Sequence, residues 1–377
     1  MSHRFKYQLS VIIVNYNVEY FLNQCLDAVK KASKNLSIEV IIVDNDSVDD
    51  SLSMLKENYP EYQLIANKEN VGFSTANNQG IKKSSGEYVL LLNPDTVVAE
   101  STLEKVVDFM DKDKKAGGLG VRMIDGKGIF LPESKRGLPT PTVAFYKIFG
   151  LSKIFPKSKR YNQYHAGHVN EFETKEIDIL SGAFMLMRKE ALDKVGLLDE
   201  DFFMYGEDID LSYRIQQGGY KNYYFADTKI IHYKGESTKK NSVNYVFVFY
   251  NAMIIFAKKH FKSKNTTLFT LLINLAIYLR ASIDIVGRFI KKIILPSFDF
   301  IYITFGLYAL TNYWGKSQIE FAESVMNYSI PLYALTWLGS TLFNGGYDVP
   351  VKLSKSFKGV FWGTILILLV YAILPKS

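Results

Sequence analysis

Three short apolar runs, each closing on polar residues and each followed by residues at helical spacing, constrain this chain more than any other feature. Residues 9–14 (LSVIIV) end at Asn15-Tyr16-Asn17, residues 38–43 (IEVIIV) at Asp44 to Ser47, and residues 88–92 (YVLLL) at Asn93-Pro94-Asp95. A fourth, shorter run, residues 63–66, lies between the last two. Leu22, Cys25, Leu26 and Val29 share one helical face after the first run, and further helices are predicted near residues 49–58, 73–84 and 101–111. Strands apolar on both faces, alternating with helices, predict a mainly parallel sheet with helices on both faces. Ligands of such sheets sit beyond the carboxyl ends of the strands. The three polar clusters, distant in sequence, are therefore expected along one edge.

A dinucleotide-binding fold shares this alternation, but no G-x-G-x-x-G follows the first run, and Gly117-Gly118-Leu119-Gly120 lacks a third glycine at the right offset. Cys25 is the only cysteine, which excludes an internal disulfide and a cysteine-based zinc site, and its neighbours make it a packing residue. Residues 9–14 are too short for the apolar core of a signal peptide. The formal charge is +7. Lysines and arginines gather at the edges of apolar runs in the last third, so a membrane surface is the expected partner. No nucleic-acid-binding motif is present, and nucleic acid is not an expected partner.

The segments VIIVNYN, IIVDNDSVDDS, NKENVGFSTANNQG, LLLNPDT, SGAFMLMRKEAL, FFMYGEDIDLSYRI and HYKGES occur in this order across roughly residues 9–260. Together they resemble the family 2 glycosyltransferases of the GT-A fold, and within them the rhamnosyltransferase-like branch. The resemblance implies a Rossmann-like α/β domain that transfers a sugar from a nucleotide-sugar to an acceptor hydroxyl.

Each candidate residue also has a physical reading. A carboxylate at the end of a strand, as Asp44 is, accepts the N3–H of uracil or thymine, or it caps the following turn. The resemblance makes it the base reader, beside Asn15 and Tyr16. Gly72, after Asn70, permits close backbone approach at a helix start, where N–H groups suit an anion. Asn77 corresponds to a residue near the nucleotide, although it and Asn78 also read as ordinary helix polarity. Asn93-Pro94-Asp95 stands where the family has D-x-D, the motif that binds Mg²⁺ or Mn²⁺ at the donor diphosphate. Asn93 removes one negative charge from that motif, leaving Asp95 as the expected metal ligand. His232, at the end of an apolar run, is matched to a metal or diphosphate ligand. Glu207 and Asp208 open a predicted helix, where acids also suit the helix dipole. The resemblance makes Asp208, ahead of Glu207, the catalytic base, with Asp210 facing elsewhere. Gly182, in a predicted strand over residues 181–187, leaves room on the acceptor side. Residues 122–178 are basic, aromatic and proline-bearing; acceptor loops are expected there, with no residue assigned.

The division is read as a catalytic domain, residues 1–264, and a helical membrane-associated region, residues 265–377. In the latter, residues 267–290 are predicted to form an interfacial amphipathic helix. About three transmembrane helices follow, near residues 293–314, 328–343 and 360–374. Lys291, Lys292, Lys352, Lys355 and Lys358 place the catalytic domain on the cytoplasmic side by the positive-inside rule. A buried helical domain is the alternative for this region. The expected activity is inverting transfer from a dTDP- or UDP-sugar, with rhamnose the sugar the resemblance suggests, onto a glycan or polyprenyl-linked acceptor at the membrane. A processive polysaccharide synthase is the alternative, although the chain lacks the Q-x-x-R-W segment of those enzymes. A catalytically silent scaffold is the other.

Overall fold

A computed structural model describes residues 5–140, 142–143, 146, 150–233, 252, 255–260, 266–315, 323, 325–348 and 352–373. Contacts divide the chain into two units, residues 1–281 and 282–377.

The first unit is built on a nine-stranded sheet. Its strands are β1 (Tyr7–Asn15), β2 (Ile38–Asp44), β3 (Gln63–Ala66), β4 (Gly86–Leu92), β5 (Thr96–Val98), β6 (Ala116–Ile124), β7 (Lys175–Ile177), β8 (Phe184–Arg188) and β9 (Lys221–His232). The spatial order is β3-β2-β1-β4-β8-β6-β9-β5, with β7 pairing to β9. The first four strands are parallel. Beyond them the sheet is mixed: β8 is antiparallel to both β4 and β6, and β9 is parallel to β6. The carboxyl ends of β1, β2, β4, β6 and β9 therefore share one edge with the amino end of β8. That reversal brings Ser181-Gly182-Ala183 to the edge where the polar clusters lie.

Burial on both faces explains the unbroken apolar runs. Leu9, Val11 and Ile13 of β1 face a core with Leu22, Cys25, Leu26 and Val29 of the helix Glu19–Ala32 and Leu103, Val106 and Met110 of the helix Thr102–Lys112. Ile12, Ile41, Val89 and Leu91 face the opposite core with Ile81, Leu192, Leu211 and Ile215. Each such aliphatic side chain contributes about 1.5–3 kcal/mol by leaving water. Cys25 is fully buried, and burial pushes its thiol up to about 12, so it packs and does not react.

Several elements escape the sequence pattern. Gly117-Gly118-Leu119-Gly120 is the middle of β6, where a Cβ at Gly117 or Gly118 would lie 2.5 Å from Tyr220 or Leu180. The predicted strand at 181–187 begins three residues later, because Ser181 to Ala183 form the turn that enters β8. The apolar run that His232 closes is the end of the 12-residue β9.

In the second part of the chain, one helix, Thr266–Gly315, covers both the predicted amphipathic segment and the first apolar run, with Pro296 inside it. Among the described residues, two stretches, Lys292–Gly315 and Leu353–Ile373, are long and apolar enough to cross a membrane. The intervening helix, Ile330–Phe343, has 14 residues and follows a π turn, Val325–Ser329. It packs on Leu353–Ile373 through small residues. A Cβ at Gly359 would stand 2.4 Å from the Thr341 Cα, and one at Gly363 would stand 2.7 Å from the Trp337 ring. This spacing of two glycines four apart lets helix backbones approach closely in an apolar medium. Trp337 Nε1 donates to Thr364 Oγ1 at 3.0 Å across the pair.

Candidate active site

The shared strand edge opens into a cavity of about 240 Å³. Its walls include Tyr16, Asn45, Asn70, Asn93, Asp95, Gly182, Glu207, Asp208 and His232. These residues come from all seven of the ordered segments, which lie far apart in sequence, and the mixed sheet is what gathers them.

At the end of β2, Asp44 is fully buried and both its oxygens are engaged. Oδ1 accepts from Asn15 Nδ2 at 2.8 Å, and Oδ2 accepts from the Ser47 N–H at 3.0 Å. Neither Asn15 nor Asp44 lines the cavity; together they hold the 44–47 turn. The cavity is lined by Asn45 and by Tyr16, which is 38% exposed. Asn45 organises the next loop: Nδ2 donates to Asn70 Oδ1 at 2.8 Å, while Oδ1 accepts from the Val71 N–H at 3.1 Å.

Gly72 has φ +85°, and a Cβ there would lie 2.9 Å from the Phe203 carbonyl oxygen. The loop carrying Phe203 covers the start of the helix Phe73–Lys83, because the Phe73 N–H donates to Phe203 O at 2.8 Å. That amide is therefore spent on protein and not open to an anion, unlike the sequence expectation for this helix start. Asn77 is buried, donates to Phe73 O one turn back at 2.9 Å, and does not line the cavity.

Asp95 and His232 meet because β5 runs antiparallel to β9, with Thr96 opposite His232. His232 Nε2 lies 3.3 Å from Asp95 Oδ1, and both side chains are buried. The His232 Nδ1 is buried with no hydrogen-bond partner among the described residues. No group of three or more acidic, histidine or cysteine side chains with metal-site geometry occurs among the described residues. One carboxylate and one imidazole still fit a divalent ion of the kind that takes its other ligands from substrate phosphate and water.

The helix Glu207–Gln217 supplies the acids. Gly206, at φ +86°, precedes it and turns the chain into the cavity wall. Asp208 Oδ2 accepts from the Gly182 N–H at 3.1 Å and from the Arg136 guanidinium, which also donates to the Leu180 carbonyl. Burial alone would lower the Arg136 pKa, but the Asp208 charge holds it above the ordinary range. Arg136 lies in the stretch where sequence assigned nothing, and no local pattern singles it out; only this contact does. Asp210 faces away, fully buried, in contact with Arg214 at 2.7 Å and His260 at 2.6 Å.

Glu207 differs from its neighbour. Its Oε2 is buried without a hydrogen-bond partner among the described residues, and burial followed by the Asp208 charge pushes its carboxyl up to about 8. In the folded chain it holds its proton at neutral pH, which suits a base less well than Asp208. The unfolded chain releases that proton near the ordinary 4.5. Between these values the unfolded state binds fewer protons, so stability falls as pH rises through the window. Glu207→Gln is expected to remove this component of the fall. Denaturant midpoints at about pH 5 and about pH 8 check it, and equal falls in both proteins would refute the assignment.

Comparison with known proteins matches residues 10–196 to the model of "Glycosyl transferase family 2". The chain is 25% identical over 264 residues to N-acetylglucosaminyl-diphospho-decaprenol L-rhamnosyltransferase of Mycobacterium tuberculosis, covering 67% of this chain and 85% of that protein. It is 29% identical over 217 residues to poly-beta-1,6-N-acetyl-D-glucosamine synthase of Staphylococcus aureus, covering 56% of this chain and 47% of that one. Among solved structures, a mannosyltransferase of Pyrobaculum calidifontis in complex with GDP-Man and Mn²⁺ aligns with TM-score 0.47 and 17% identity, over 76% of this chain and 75% of that one. The family match runs through the strands and turns that carry Tyr16, Asn45, Asn70, Asp95 and Gly182, and the chain belongs to the family 2 glycosyltransferases.

Proposed function

We propose that the chain is an inverting transferase of cell-surface polysaccharide synthesis. It would move a sugar, rhamnose in the first instance, from a dTDP- or UDP-sugar to a hydroxyl of a membrane-linked glycan such as a polyprenyl-linked intermediate. The observation that carries this reading is one cavity walled by the Asp95–His232 pair and by Asp208. The mycobacterial relative, named for rhamnose transfer to a decaprenol-linked acceptor, supports the sugar and the acceptor class. Two helices of membrane-spanning length and composition support a lipid-linked acceptor, with the catalytic unit at the cytoplasmic face.

In this reading Asp208 takes the proton of the acceptor hydroxyl as its oxygen attacks the anomeric carbon. The bond from that carbon to the diphosphate oxygen breaks, and the nucleoside diphosphate leaves. The Gly182 N–H and Arg136 orient the Asp208 carboxylate. Asp95 and His232 would hold Mg²⁺ or Mn²⁺, which when bound offsets the negative charge of the departing diphosphate. Tyr16, Asn45 and Asn70 lie where the nucleoside would enter.

The test is nucleotide release from a panel of dTDP-, UDP- and GDP-sugars by the full chain, with and without divalent metal and with a polyprenyl-linked acceptor. Metal-dependent release from a single donor is expected. Release from none of them under these conditions would overturn the reading. The staphylococcal synthase relative raises a processive alternative, and a long polymer as product would favour it.

A further inference from the structure

Between Glu133 and Glu171 the chain contains no acidic residue, yet it carries Lys135, Arg136, Lys147, Lys153, Lys157, Lys159 and Arg160. The whole chain has a formal charge of +7, so this one segment holds as many positive charges as the net excess of all 377 residues. Two of these cations are turned inward. Lys135 Nζ donates to the carbonyls of Ala166 at 3.0 Å and Val169 at 2.7 Å, and Arg136 is bound to Asp208. Lys153, Lys157, Lys159 and Arg160 are exposed, and none of them is in an ion pair among the described residues.

The same surface carries exposed apolar side chains. A short helical turn, Leu151–Ile154, ends in Ile154 and Phe155, which are 67% and 47% exposed, before Pro156 stops it. An apolar tip beside exposed cations that are in no ion pair among the described residues has the chemistry that complements an anionic lipid headgroup layer: apolar groups enter the acyl boundary and cations meet the phosphates. A water-facing loop needs no such tip. The loop is also braced to the cavity. Asn162 Nδ2 donates to Pro156 O at 2.7 Å, and the Gly137 N–H, next to Arg136, donates to Tyr164 O at 3.1 Å.

We infer that residues 150–161 dock the catalytic unit on an anionic bilayer surface, with Ile154 and Phe155 inserted and Lys153, Lys157, Lys159 and Arg160 at the phosphates. Residues 150–161 lie outside the candidate spanning helices in sequence, and docking there would set the acceptor side of the cavity close to the headgroups. The inference rests on the membrane-linked reading above, but its readout is lipid contact and not sugar transfer, so either can fail without the other.

The test uses the full chain reconstituted in vesicles of phosphatidylcholine, with or without phosphatidylglycerol. Phe155→Cys carries an environment-sensitive fluorophore; the native Cys25 is fully buried and does not compete for label. Quenching by nitroxide lipid and shielding from aqueous iodide are expected in the anionic vesicles. Each lysine or arginine near such a surface raises local partition by about fivefold. Replacing all four cations by glutamine is therefore expected to lower the quenched fraction sharply, as is high salt on the labelled protein with its cations intact, because screening shortens the Debye length to about 3 Å at 1 M. The salt arm needs no further substitution and does not depend on whether the glutamine variant folds. A fluorophore that stays open to iodide in anionic vesicles, or quenching indifferent to both salt and cation removal, would overturn the inference.

Discussion

Asp208→Asn is expected to lower transfer turnover by about 10²- to 10⁴-fold, the range general-base catalysis contributes. The substitution keeps the shape of the side chain and an oxygen to accept the Gly182 N–H, but it removes the proton acceptor. Its control is Glu207→Gln on the same cavity wall. Glu207 already holds a proton at neutral pH, so its amide analogue is expected to keep most of the turnover. Measuring kcat for both variants with one donor and one acceptor decides the assignment. If Glu207→Gln is the inactive variant and Asp208→Asn the active one, the two roles are reversed.

Arg136→Met is expected to cost about 3 kcal/mol of stability and to lower kcat more than it raises KM. An exposed ion pair contributes about 0.2–1 kcal/mol, whereas breaking a buried one costs about 3–5 kcal/mol. The Arg136 and Asp208 side chains are 11% and 14% exposed, which places the pair near the buried limit. Arg136 also binds the Leu180 carbonyl, so methionine leaves two acceptors without their donor. Arg136→Lys restores the charge but not both bonds and is expected to fall between. Denaturant midpoints read the stability and steady-state kinetics read the split. An unchanged midpoint in Arg136→Met would mean that the pair does not hold the cavity wall.

Asp44 and Arg136 show where sequence reading succeeds and where it stops. Asp44 was legible as a carboxylate at a strand end, because a β-branched run ending in acids is a local pattern. Its surroundings were not: the carboxylate turns inward to Asn15 and Ser47, and Asn45, one residue on, lines the cavity. Neighbours at a strand end point to opposite sides, so a one-residue step decides which side chain lines the cavity. Arg136 was illegible, since it lies in a stretch without periodicity and its partner is 72 residues away.

The sequence by itself determined the alternation of strands and helices, the burial of both sheet faces, the ordered motifs and the apolar last third. Each rests on periodicity or residue type, which are local and survive without coordinates. The tertiary structure decided that β8 runs against β4, which brings Gly182 to face Asp208. It decided that β5 lies against β9, which joins Asp95 to His232, and that the start of the helix Phe73–Lys83 is covered by the Phe203 loop. These depend on pairings between segments far apart in the chain, whose energy comes from packing and hydrogen bonds that no single segment contains.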